Sequence, residues 1–143
     1  LILSLGFGVY YGISLYRYRT DLKYLADYNA YLDQFKNDNI GGKTPEETLK
    51  MFVSALKKGD TELASQYFAL DDNGSRQKWL DYLNGVKTKG LLATMASDIE
   101  KEARAVKSDN PNQFYYELMN PSGTVGVTID LAKNANVWKI IGI

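Results

Sequence analysis

The chain has 143 residues, room for one domain plus an appendage, and a hydrophobic content of 45% is enough to build a core. Lys plus Arg equals Asp plus Glu at 17 each, so no global field attracts nucleic acid, and no basic stripe with interleaved aromatics runs along the chain. Cys and His are both absent, which removes disulfides, thiolate nucleophiles, imidazole bases and nearly every transition-metal site; no cofactor and no metal is expected.

Residue 1 is Leu rather than Met, so the chain is expected to begin inside a longer gene product. Leu1 to Tyr16 carries no charge and, as a helix, would run roughly 24 Å at about 1.5 Å per residue, just short of a bilayer core of about 30 Å. Tyr10, Tyr11, Tyr16 and Tyr18 crowd its exit end as an interfacial belt would, and Arg17 and Arg19 follow at headgroup level. The expectation is a truncated single-pass transmembrane helix touching membrane lipid through residues 1–19. A signal-peptide remnant or a buried core helix is the alternative.

Ser4, Gly8 and Gly12 recur every fourth residue and offer a small-xxx-small helix–helix contact. Beyond the basic pair, Tyr18, Leu22, Leu25, Leu32 and Phe35 continue one apolar stripe toward Lys36. Self-association as a short coiled coil and packing on the chain's own domain are both open, since fewer than three heptads do not decide between them. Residues 1–36 are thus read as anchor and stalk. Residues 37–43, N-D-N-I-G-G-K, are read as a polar linker with paired glycines.

Thr44 then has the pattern of a helix N-cap, with Pro45 at the first helical position and Glu47 completing a capping box. Leu49, Phe52, Val53 and Leu56 form the apolar face; Lys57 and Lys58 suit the C-terminal dipole, and Gly59 supplies a left-handed residue past the end. Asp60 caps a second helix with Leu63, Ala64, Tyr67 and Phe68 inward, which Asp71-Asp72-Asn73-Gly74 breaks. A third helix from about Ser75 carries Trp79, Leu83 and Val86, and a fourth from about Leu91 carries Leu92, Met95 and Ile99. Strands are expected over Ala103 to Ser108, Gln113 to Met119, Val125 to Leu131 and Val137 to Ile143, joined by short turns that make neighbours antiparallel. Residues 44–143 therefore read as an α+β domain, helices packed on an antiparallel sheet of about four strands.

The segment A-L-K-K-G-D-T-E-L-A-S-Q-Y-F, Ala55 to Phe68, with the terminal W-K-I at Trp138 to Ile140, resembles the nuclear-transport-factor-2-like superfamily with its cystatin-like fold. In particular it is similar to small membrane-anchored bacterial domains of unknown function. The resemblance covers about Lys43 to Ile143 and implies a curved sheet wrapped on a long helix around a conical cavity. It does not imply a chemistry.

Enzymes of that fold, such as ketosteroid isomerase or scytalone dehydratase, place an acid or base in the cavity. Here strand alternation turns Asp130 away from Val127, Ile129 and Leu131, and no catalytic residue is expected. Tyr67, Trp79, Tyr82 and Tyr116 are candidates to line a pocket, although aromatics at such spacing usually belong to the core. Gly41-Gly42-Lys43-Thr44 lacks the earlier glycine and strand of a phosphate loop, and Asp71-Asp72-Asn73 lacks the distal Glu of a calcium loop.

The expected function is a membrane-tethered, non-catalytic binding or assembly domain of the bacterial cell envelope, facing outside the cytoplasm, with a protein partner or copies of itself. One alternative is the scaffold subunit of a type IV secretion or pilus-type machine, whose Asn-Pro-x-Gly turn is matched by Asn120-Pro121-Ser122-Gly123. Another is a small-ligand binder or isomerase-like enzyme using the cone cavity.

Overall fold

Five helices and four strands make up the computed structural model, which describes residues 2–143, with side chains from residue 15 onward. In chain order they are α1 (Ile2–Lys36), α2 (Pro45–Lys57), α3 (Thr61–Gln66), α4 (Gln77–Thr88), α5 (Leu92–Glu102), β1 (Ala103–Lys107), β2 (Gln113–Met119), β3 (Val125–Asn134) and β4 (Val137–Gly142). They fall into two units, Leu1–Asn37 and Asp38–Ile143.

The first unit is the single helix α1. Its aromatics meet along one side at helical spacing, Tyr24 stacking on Tyr28 and Tyr31 meeting Phe35 edge-on with ring centroids 4.7 Å apart. Leu22 and Leu25 stand exposed, while Leu32 is half-buried. Among the described residues no helix is long and apolar enough to cross a membrane. The expected transmembrane helix has no counterpart there, because serines, glycines and tyrosines dilute the apolar run before Arg17 and Arg19 end it. The proposed contact residues Ser4, Gly8 and Gly12 lie outside the described side chains.

In the second unit, α2 starts as its capping residues dictate. Thr44 is extended and its hydroxyl accepts from Glu47 N at 3.2 Å. The Glu47 carboxylate reaches one residue further back than a capping box requires, accepting from Lys43 N at 2.7 Å. Gly59 has φ 69° past the C-terminus, and Asp60 accepts from Leu63 N to start α3.

The expected second helix stops early. Tyr67 and Phe68 leave it because their backbone joins β4: Ile140 N donates to Tyr67 O and Ala69 N to Ile140 O, at 2.9 and 2.8 Å. On the same flank of β4, Trp138 N donates to Gly42 O. The stretch read as a linker thus belongs to the second unit from Asp38 onward, and it covers a strand edge that would otherwise expose unpaired backbone.

The sheet is an antiparallel meander in the order β1-β2-β3-β4, with register shifts at Leu118/Met119 and Asp130/Leu131. Strand β3 runs past its expected end to Asn134, leaving a two-residue turn in which Ala135 has φ 50°. Alternation holds at its centre: Ile129 and Leu131 are fully buried and Asp130 is not. Phe52, Leu56 and Phe68 pack on this face with Leu83, Ala96 and Ile140. Phe52 and Phe68 meet edge-on at 5.5 Å, and Phe68 stacks on Trp79 at 4.2 Å. Truncating Phe52, Leu56, Phe68, Leu83 or Ile140, all fully buried, to Ala costs about 2–5 kcal/mol.

Candidate functional site

The four aromatics expected to line one pocket are dispersed by the fold. Tyr67 is buried at the exit of α3, where burial, aided by the charge of Asp60, raises its pKa. Trp79 lies between Phe68 and Tyr82, its ring 4.2 Å and 6.4 Å from theirs; half-buried, it packs against the core and lines a groove beside Ala69, Lys78 and Ile141 that neither Tyr82 nor Tyr116 shares. Tyr82 and Tyr116 each face a groove, but not the same one.

Tyr82 belongs to a groove of about 410 Å³ between the α4–α5 pair and the sheet. Helical spacing aims Tyr82, Val86, Met95 and Ile99 at it, and strand parity aims Leu118, Val127 and Ile129. Its lip carries exposed apolar residues, Tyr82, Leu91 and Val127, each between 44% and 48% accessible. Val127 stays open although its parity is inward because the helices cover only the later part of β3. Asp98 is the lining carboxylate, and it too is exposed. The groove can enclose an apolar body; its polar groups sit at the rim, where water competes with them.

Tyr116 faces a second groove, of about 510 Å³, between α2 and α5. The Tyr116 side chain is buried and its hydroxyl has no hydrogen-bond partner. Burial, together with the charge of Glu46 on the first turn of α2, pushes its pKa up to about 12. An ion pair closes one end, Lys57 Nζ donating to both oxygens of Glu100 at 2.8 and 2.7 Å.

A third feature went unread in the sequence. Lys139 in β4 is fully buried, and its ammonium donates to Asp38 Oδ1 and, at 2.9 Å, to Gln66 O. Arg76 closes the arrangement, pairing with the other Asp38 oxygen and donating to Phe68 O at 2.6 Å. Burial lowers the Lys139 pKa against the opposing pull of Asp38. A lone Lys amid Val137, Trp138, Ile140 and Ile141 is the one hint in the sequence, since a strand buried on both faces has no solvated place for it. With Asp38 assigned to a linker, no partner was visible.

Among the described residues no group of three or more acidic side chains could hold a metal ion. The Asp71 turn closes on its own backbone, Asp71 Oδ1 accepting from Asn73 N and Ser75 N. The Asn120 turn does likewise, with Asn120 Oδ1 accepting from Ser122 N and Thr124 N and Gly123 at φ 80°. No protein-family model matches the chain, and neither the curated proteins nor the solved structures yield a match.

Proposed function

We propose that this chain is a non-catalytic assembly domain: α1 associates with α1 of a second copy, and the nuclear-transport-factor-2-like body is what the assembly displays. The observation that supports it is the row Leu15, Tyr18, Leu22 and Leu25, spaced by three and four residues and exposed along α1. Large apolar side chains at that spacing form a seam, and leaving them in water is costly at about 25 cal/mol per Å². Among the described side chains, by contrast, the members of the hydrophobic core come from the second unit.

Ser4, Gly8 and Gly12 extend the same contact toward the N-terminus in this reading, and Leu32 extends it toward the C-terminus. The uncharged Leu1–Tyr16 run, followed by Arg17 and Arg19, supports lipid contact through residues 1–19. Placing the body outside the cytoplasm rests on the resemblance to membrane-anchored envelope domains, against the basic pair on the body's side, which by itself favours the cytoplasmic face. The more specific version, a scaffold subunit of a secretion machine, rests on the Asn120-Pro121-Ser122-Gly123 turn that joins β2 to β3.

The test is the mass of the detergent-solubilised chain by light scattering, wild type against Leu22→Asp/Leu25→Asp. The expected result is an oligomer that the double substitution reduces to monomer. A wild-type monomer at high concentration, or an oligomer indifferent to both aspartates, would overturn the reading.

A further inference from the structure

We infer that the groove between α2 and α5 is a binding site for a small, largely apolar molecule carrying a neutral carbonyl oxygen, which accepts a hydrogen bond from Tyr116.

The inference starts from an unmet donor. Tyr116 is 5% exposed and its hydroxyl is buried without a partner, whereas buried polar groups in proteins are almost always paired. Strand parity puts the Tyr116 ring on the helix-facing side of β2, beside Ile129 across the ladder, and the ring lines the α2–α5 groove. Glu46, whose charge acts on the phenol, lines the same groove. A volume of about 510 Å³ is within the range of small-molecule sites, roughly 300–1,000 Å³.

The class of ligand follows from the walls. Leu49, Val53, Ile99 and Ala103 make an apolar floor while the polar lining residues, Glu46, Lys50, Ser54, Lys57 and Glu100, are solvent-exposed, so the body of the ligand is apolar. With a pKa pushed up to about 12, the phenol keeps its proton at any physiological pH and takes an acceptor. The charges lining the groove balance, Glu46 and Glu100 against Lys50 and Lys57, and Lys57 is already paired with Glu100, so neither an anion nor a cation is favoured and the acceptor is a neutral one such as an amide, ester or ketone carbonyl. Glu46 and Lys50, which line the α2 side of the groove, are solvent-facing and can swing aside to admit a ligand. The site is separate from the α1 contact, so either proposal stands if the other fails.

The experiment titrates the full chain, carrying ¹³Cζ-labelled tyrosine and ¹⁵N amides, with N-butylacetamide, with hexanoate and with hexylamine. N-butylacetamide is expected to move the Tyr116 ¹³Cζ resonance and the amides of Val53 and Ile99 saturably, and more tightly than the two charged probes. Tyr116→Phe is expected to weaken it by about tenfold, the loss of one hydrogen bond. Ser54→Trp, at an exposed lining position, fills the groove and is expected to abolish binding with the phenol intact. Undiminished affinity in Tyr116→Phe, shifts confined to other surfaces, hexanoate binding at least as tightly, or no Tyr116 shift up to the solubility limit would each overturn the inference. The last outcome assigns the phenol to a water molecule.

Discussion

Asp38 and Lys139 lie 101 residues apart in sequence and share a hydrogen bond at the start and near the end of the second unit. Around this pair the first segment of the unit, the exit of α3 and the last strand are tied together, because Arg76 and the Gln66 carbonyl complete the remaining bonds. A buried charge without its partner is costly, whereas a shared one has a fallback. Asp38→Ala is therefore expected to lower unfolding free energy by about 3–5 kcal/mol. Lys139→Met should cost less, since Arg76 still neutralises Asp38; urea unfolding of the two variants checks the order.

The Tyr116 phenol makes stability depend on pH at the alkaline end. Its pKa is raised from 10.0 to about 12 by burial and Glu46, so the folded chain holds this proton where the unfolded chain releases it. The contribution is complete below pH 10 and is lost as pH climbs toward 12. Over that interval the wild type should lose about 3 kcal/mol more than Tyr116→Phe. Chemical denaturation of both proteins across the interval measures it, and ultraviolet titration should show one fewer late-ionising tyrosine in the variant.

Two glycines should respond in opposite directions. A Cβ on Gly42 would stand 2.4 Å from Glu47 Cβ and 2.6 Å from Thr48 N, inside the turn where Thr48 Oγ1 accepts from Gly42 N. Gly42→Ala is expected to destabilise by about 1–3 kcal/mol through overpacking. Gly85, inside α4, would meet nothing within 4 Å, so Gly85→Ala should stabilise by about 0.5–1 kcal/mol. Thermal midpoints compared pairwise give the two signs.

The β3–β4 turn carries its own strain at Ala135, a residue with a Cβ held at φ 50°. Ala135→Gly is expected to raise stability by about 1 kcal/mol, and an unchanged or lower melting temperature would contradict the argument.

Local chemistry made several elements legible beforehand. Thr44, Pro45, Gly59 and Asp60 mark their helix ends with side chains and φ values that act within three residues, and α2 and α3 begin where those signals stand. Gln113 to Met119 forms β2 as read, since its aromatic run lies between two self-closing turns. The grooves were not legible. Tyr67, Trp79, Tyr82 and Tyr116 were grouped by chemistry alone, and which way each ring points depends on what packs on its element.

The sequence by itself determined where α2 and α3 start, the order of helices and strands with their α+β class, and the inward faces of α2 and β3, because capping, turn geometry and periodicity are interactions among near neighbours. Only the tertiary structure decided that residues 38–43 flank β4, that α3 ends before Tyr67, that Lys139 has Asp38 as its partner, and that Tyr116 lines a groove with its buried hydroxyl unpaired. These depend on contacts between residues up to 101 positions apart, and their partners are set by how the layers close rather than by any local signal.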